Sequence, residues 1–579
     1  MNFDSIKSIG KKIAKKLLRH PPTQPSRPLA IHWKQVLGND FGRFKKNLGR
    51  EKKKRVLVAT GTGGHAAVIT LESLLGTALS LRDAHVDFLL CDERLPACLM
   101  CLATDTPEVS TFVEKGPQGT RCGGCYKPGR AVLDEAGFPI LRYSDFITPE
   151  EAAEAKRVAS TLPFQEISRF KKDGLAVGEH AMAGALRFYA RATLESETFG
   201  EAVLRRYLEA SLLTAYGMNR LLEQGNYDVA VFHHGIYVPQ GIVGEVCRKK
   251  GVRVVNWAAA YRKKCFIFSH GDTYHHTLMT EPVDRWENLE LTPKLDKLIV
   301  DYLKSRWEGT QDWIYFHEKP DFSLSNIAAE IGLDFDKPCI GLLTNVMWDA
   351  QLHYPANAFP NMLEWVLTTI RYFEKRPDLQ LLIRVHPAEI RGTVPSRQPL
   401  VAEIEKAFPK LPLNVRVIGP ESRISTYVAM GACDSVLIFG TKTGVELTSV
   451  GIPVIVAGEA WIRNKGMTED ATSVDHYEKL LDKLPTKQRM SKEQTERAKK
   501  YAFHFFFRRM IEVGCVESKQ GWPPYGVQVQ KLEDLMKGAD PGLDVICDGI
   551  LEGRDFILKY EDLSAQKGLN TQQEAQNAG

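Results

Sequence analysis

Two separate series of short apolar runs, each alternating with helical patterns, constrain the fold of this chain more than any other feature. The first series is Arg55–Thr60, Val86–Leu90, Asp228–Phe232 and Val252–Trp257, with a long helical stretch over 149–222 inserted in it. The second is Cys339–Leu343, Leu379–Val385, Val415–Ile418, Ser435–Phe439 and Pro453–Ala457, separated by helical segments such as Met362–Glu374 and Thr443–Val450. Strands alternating with helices imply βαβ units and parallel sheets. The expected fold is α/β, with two Rossmann-like domains facing a cleft. Ligands of open α/β sheets sit beyond the carboxyl ends of the strands, so the residues that follow each run are the ones to inspect.

The expected organisation follows from these runs. Residues 1–50 form a basic leader and linker, and 51–290 the first Rossmann-like domain, on the acceptor side. Within that domain lie a Cys-rich insertion (91–125) and a helical insertion (149–222). Residues 291–334 bridge to a second Rossmann-like domain (335–490) that carries the nucleotide sugar. Helices follow over 491–563, and a Gln/Asn/Ala-rich tail over 564–579 has a composition that favours disorder.

Charge is distributed unevenly. Residues 1–55 hold 16 Lys/Arg and 3 Asp/Glu, a net +13, so the rest of the +5 chain carries −8. An acidic body excludes general nucleic-acid binding. In residues 1–20, Phe3, Ile6, Ile13 and Leu17 share one helical face, with lysines around the others. Such an N-terminal amphipathic helix suits an anionic membrane surface, and equally a solvated helix docked on the body. No run approaches the length of a membrane-spanning helix. The odd total of eleven cysteines and the lack of a secretory h-region point to a reducing, cytoplasmic setting, with the inner membrane face as a peripheral location.

Four motifs carry chemistry. Gly440-Thr441-Lys442-Thr443-Gly444-Val445-Glu446 closes a buried strand and opens a helix. Its backbone N–H groups, two hydroxyls and a lysine make an anion site, without Walker A spacing. Glu446 suits ribose or sugar hydroxyls better than a phosphate; an ordinary capped turn is the bland alternative. Arg384-Val385-His386-Pro387 places His386 at a strand end, fixed by Pro387, where it can donate to a phosphate or protonate a leaving group. Gly61-Thr62-Gly63-Gly64-His65 lacks the dinucleotide G-x-G-x-x-G spacing, so NAD is not expected. Either the turn admits an acceptor close to Gly61, Gly63 and Gly64 with His65 as base, or His65 caps the helix. Asp92, after the second run, is a further candidate base. Cys98-x2-Cys101-x20-Cys122-x2-Cys125 has the spacing of a structural Zn²⁺ site with four thiolates; an iron–sulfur cluster or unligated thiols are the alternatives. Asn345, Asp349 and His234 follow other strands and face the expected cleft.

The second domain resembles the bacterial capsule polysaccharide biosynthesis family, GT-B-type glycosyltransferases that include Kdo transferases using CMP-activated sugar. The likeness covers residues 335–515. It rests on Leu382–Pro387, on Gly440–Glu446 running into Gly451–Ile455, on Gly458 through Gly466-Met467-Thr468, and on the aromatic–basic run Phe503–Arg509. It implies that Arg384, His386, Thr441, Thr443 and Glu446 hold a nucleotide-sugar donor. The Gly61–His65 turn resembles the acceptor-side loop of GT-B enzymes that add GlcNAc to lipid-linked acceptors. The implied activity is metal-independent sugar transfer to a surface polysaccharide or lipid-linked acceptor. A nucleotide-sugar epimerase, a CDP-polyol phosphotransferase and a non-catalytic scaffold are the alternatives.

Overall fold

The computed structural model describes residues 30–118, 121–308, 310–313, 321–349, 355–486, 488–520 and 523–563. The expected amphipathic helix over 1–20 and the expected disordered tail over 564–579 lie outside the described residues.

The first sheet has seven strands in the order β13-β6-β5-β4-β1-β2-β3. Its parallel members are β1 (Lys54–Gly61), β2 (Ala84–Leu90), β3 (Ile140–Arg142), β4 (Val229–His233) and β5 (Arg253–Ala259). At one edge β6 (Cys265–His270) turns antiparallel against β5, and β13 (Ile511–Glu512) adds antiparallel to β6. The second sheet is parallel throughout, in the order β12-β11-β10-β7-β8-β9. These strands are β7 (Cys339–Leu343), β8 (Gln380–Arg384), β9 (Val415–Ile418), β10 (Ser435–Ile438), β11 (Val454–Val456) and β12 (Glu469–Asp470). Every residue of β7, β10 and β11 is buried, as strands covered by helices on both faces require.

Two segments differ from the sequence reading. Residues 33–48, expected as linker, form short helices whose Trp33, Leu37 and Phe44 are buried in the first domain's core; their apolar spacing gives them a face to bury. Residues 491–563 are not only helical. After the helix Lys492–Phe503 and the π-helical turn His504–Arg509, the chain crosses back to the first sheet as β13, and the helix Pro541–Glu552 packs into that domain's core. The crossing is apolar: Tyr302, Ile299, Val436, Ile438, Phe503, Phe505 and Phe506 belong to one continuous buried cluster drawn from both halves. The two sheets are thereby held around a common cleft. No helix among the described residues is long and apolar enough to cross a membrane.

Candidate active site

Between the sheets lies a cleft of about 370 Å³. Its second-domain wall comes from the carboxyl ends of three neighbouring strands: Thr344, Asn345 and Asp349 after β7, Arg384, His386 and Pro387 at β8, and Gly440, Thr441, Lys442 and Thr443 after β10. Tyr261, His275, Arg306 and Asp312 close it from the other side. The residues expected to hold a donor therefore meet in one place, with the exception of Glu446.

The turn after β10 is held open by side chains. The Asn345 Oδ1 accepts the Gly440 N–H at 3.3 Å, and the Thr441 hydroxyl accepts the Thr443 N–H at 3.3 Å. Lys442 stands 4.5 Å from the centre of the Tyr261 ring, and its ammonium lies 3.4 Å from the Glu446 carboxylate. Glu446 itself is buried. Its Oε1 also meets Arg306 Nε at 3.1 Å, and Arg306 further pairs with Asp312. Burial works against the charged carboxylate, but Arg306 and then Lys442 outweigh it and hold Glu446 below the usual range. Glu446, expected to meet sugar hydroxyls, thus stands behind the cleft wall, with Oε1 facing Arg306 and Lys442.

Arg384 is 1 % exposed. Its guanidinium donates to the carbonyls of Gly419 and Ser422 and to the Thr426 hydroxyl, and pairs with no carboxylate among the described residues. Burial lowers it to about 10, which leaves it charged at neutral pH. The guanidinium is held by neutral oxygens, with the Glu421 carboxylate acting on it only through space, and it adds positive charge to this end of the cleft. His386 is oriented at both ends. Its backbone N–H donates to the Thr344 hydroxyl at 3.0 Å, and its Nδ1 accepts the Ala388 N–H at 3.0 Å. In the neutral ring Nε2 therefore carries the proton and acts as a donor.

On the first domain, the Gly61–His65 turn is filled by protein. A Cβ on Gly63 would stand 2.9 Å from the Cys125 carbonyl oxygen and from Gly129 Cα, and one on Gly64 would stand 2.8 Å from Cys125 Cα. These two glycines admit the helix Gly123–Ala136, which corrects the expectation that they admit an acceptor. Gly61 takes a positive φ of 77°. The His65 Nδ1 accepts the Val68 N–H at 3.3 Å and caps the following helix. Burial, then the charge of Arg187, lowers His65 to about 4. It is a neutral ring with its proton on Nε2, a donor rather than a base. His65 packs 5.6 Å from His233, which lies 5.7 Å from His234. His234 sits in the left-handed region at φ 66°, and burial lowers it to about 4 in spite of the Asp349 carboxylate. Asp349 accepts the Tyr237 hydroxyl at 2.8 Å, a hydrogen bond that joins the two domains across the cleft. Asp92 is bound by the N–H and hydroxyl of Ser144 and does not line the cleft, which corrects its expected role as a base.

Cys98, Cys101, Cys122 and Cys125, with Cys91, line one small cavity of about 20 Å³ beside Gly61. The sulfurs of Cys98 and Cys101 are 3.9 Å apart, and the Cys125 sulfur accepts the Gly64 N–H at 3.2 Å. No three His, Cys, Asp or Glu side chains among the described residues are arranged to hold a metal ion. The cysteines expected as Zn²⁺ or iron–sulfur ligands thus meet at one cavity of the first domain.

The sequence reading missed Arg306, Asp312 and Tyr261. Arg306 lies in the segment taken as a bridge; the only signal was an arginine placed late in an otherwise amphipathic helix, Pro293–Glu308.

No family model matches the chain, and no curated protein is significantly similar to it in sequence. Several solved structures resemble it at low identity. Thermosulfurimonas dismutans KpsC, a beta Kdo 2,4 transferase, matches at 15% identity over 47% of this chain and 79% of that one, with a TM-score of 0.33. A UDP-GlcNAc 2-epimerase from Neisseria meningitidis bound to UDP-GlcNAc matches at 11% over 77% and 94%, with a TM-score of 0.22. The spinosyn rhamnosyltransferase SpnG complexed with spinosyn aglycone matches at 12% over 78% and 95%, also with a TM-score of 0.22. The structural neighbours thus include glycosyltransferases and epimerases, and at these scores they assign no activity to this chain.

Proposed function

We propose that this chain is a glycosyltransferase that moves a sugar from a nucleotide-activated donor to a surface polysaccharide or lipid-linked acceptor. The observation that carries the reading is Arg384: a buried guanidinium in no direct ion pair among the described residues, lining the same cleft as Lys442 and His386. Such a site favours an anion, and a strand-end cleft between two Rossmann-like sheets is suited to a nucleotide.

In this reading the donor phosphate lies among the Thr441 and Thr443 hydroxyls, Lys442 and His386. Arg384 adds positive charge from behind, three of its five N–H groups being held by the Gly419 and Ser422 carbonyls and the Thr426 hydroxyl. As the bond between the anomeric carbon and the phosphate oxygen breaks, the leaving phosphate gains charge. Donors already aimed at it stabilise that charge at no reorganisation cost. The acceptor approaches from the first-domain face.

The test is incubation of the purified protein with CMP-, CDP-, UDP- and GDP-linked sugars, with and without glycoside acceptors, following nucleotide release and sugar products. Acceptor-dependent release of nucleotide supports the reading. Epimerised sugar formed without acceptor would replace it with the epimerase alternative.

A further inference from the structure

The eleven cysteines fall into two groups. Cys247, Cys265, Cys339, Cys433, Cys515 and Cys547 are all buried and belong to the hydrophobic cores of the two domains. There they act as small apolar side chains. Cys91, Cys98, Cys101, Cys122 and Cys125 instead line one cavity beside Gly61, and all but Cys101 are only partly buried. Core packing accounts for the first group and not for the second. Four of these five form two C-x-x-C pairs with twenty residues between them, the arrangement of a four-thiolate metal site.

Each pair is presented by a tight backbone turn. In the loop after β2 the Cys101 N–H donates to the Cys98 carbonyl at 3.0 Å, and the two sulfurs lie 3.9 Å apart. That separation is close to the edge, roughly 3.8 Å, of a tetrahedron of sulfurs about 2.3 Å from a central Zn²⁺. At the start of the helix Gly123–Ala136 the Cys125 N–H donates to the Cys122 carbonyl at 2.9 Å, the same closure. The Cys125 sulfur also accepts the Gly64 N–H at 3.2 Å, a donor that suits a sulfur carrying negative charge. The cavity of about 20 Å³ has room for one particle of about the size of a water molecule. It suits a single ion and is too small for the several metal and sulfide atoms of an iron–sulfur cluster. As placed, the two pairs do not share one bonding point.

We propose that Cys98, Cys101, Cys122 and Cys125 bind one structural Zn²⁺, the two pairs closing onto it by side-chain rotation, with Cys91 a neighbour and not a ligand. On binding, each of the four thiols gives its proton to water and each sulfur gives an electron pair to the ion, with no change of oxidation state. Four sulfurs leave no open position, so the ion takes no part in transfer chemistry. It ties the loop after β2 to the helix Gly123–Ala136, whose Cys125 and Gly129 fill the Gly61–His65 turn. The ion thereby holds one face of the first domain in shape. This site does not depend on the glycosyltransferase reading.

The experiment uses the full-length chain, purified without chelator from cells grown with added Zn²⁺, with its metal content read by mass spectrometry. Wild type should carry about one Zn²⁺ per chain. Cys98→Ser and Cys122→Ser, one from each pair, should each lose most of it, and Cys91→Ser should keep it. Stripping the ion with a chelator should lower Tm, and Zn²⁺ alone should restore it. Should the serine variants fail to fold, wild type decides by itself: the stripped chain refilled with Co²⁺ should show the sulfur-to-cobalt charge-transfer absorption of a tetrahedral thiolate site. A wild-type chain that holds no stoichiometric zinc and gives no such absorption would overturn the assignment. So would iron with inorganic sulfide in its place, or zinc kept by both Cys98→Ser and Cys122→Ser.

Discussion

Arg306 Nε lies 3.1 Å from Glu446 Oε1, with both side chains at most 4 % exposed. The contact ties the helix Pro293–Glu308 to the helix that follows β10, and so fixes the loop that carries Lys442. Breaking a buried pair from one side leaves an uncompensated charge and costs about 3–5 kcal/mol. Glu446→Ala should lower the urea midpoint accordingly with an unchanged slope. Adding Arg306→Met in the same chain should not restore it, because buried Asp312 then loses its own cation. A Glu446→Ala protein as stable as wild type would show that the network holds nothing in place.

His386 is half-buried, and His386→Ala should keep the fold at the cost of the hydrogen bond from the Ala388 N–H. In the proposed transfer His386 stabilises the leaving phosphate, and its loss should lower kcat by about 10²–10³-fold, as for removal of one preorganised donor. Near-normal turnover would remove His386 from the mechanism.

Glu72 offers a pH test of the first domain's core. Burial raises its carboxyl to about 8, against hydrogen bonds from Thr60 and Trp257 that favour the charged form. The folded-state value lies above the ordinary 4.5. The stability Glu72 contributes is therefore full below about pH 4.5 and is lost as pH rises through about 8, at roughly 1.4 kcal/mol per pH unit between the two values. Glu72→Gln keeps the acceptor oxygen without the charge. Calorimetry should show its Tm relative to wild type rising from pH 5 to pH 9. A difference that does not change with pH would mean that the carboxyl is already ionised in the fold.

Gly129 and Gly63 touch backbone to backbone: a Cβ on Gly129 would stand 2.3 Å from Gly63 Cα. Gly129→Ala should destabilise by about 1–3 kcal/mol, as overpacking does. Gly124→Ala, in the same helix with nothing within 4 Å, should be neutral or slightly stabilising. Equal effects of the two substitutions in thermal unfolding would contradict this packing.

Much of the framework was legible because strands buried on both faces announce themselves as apolar runs. β1, β2, β4, β5 and β7 to β11 all fall on such runs. β3 is only three residues long with a polar end, β6 lies close behind β5, and β13 is two residues that exist as a strand only because β6 offers an open edge. None of these carries a periodic signal of its own. The cleft residues after β7, β8 and β10 were legible for the same reason as the strands, since topology places strand ends. Their partners were not. Arg306 reaches Glu446 across 140 positions of chain, and the tautomers of His65 and His386 depend on backbone N–H groups that only the folded chain supplies. The glycines of the Gly61–His65 turn were visible, but the protein atoms that fill them come from a helix more than sixty residues away.

The cleft lined by Arg384, His386 and Lys442 is proposed to bind a nucleotide. Thermal unfolding of the full-length chain with CMP, CDP, UDP and GDP tests it most directly. A nucleotide at 100 times its Kd should add about 2.7 kcal/mol to stability. The account predicts a selective rise in Tm with at least one nucleotide, weakened in Lys442→Ala. No rise with any of the four at millimolar concentration, in a protein that unfolds cooperatively, would contradict it.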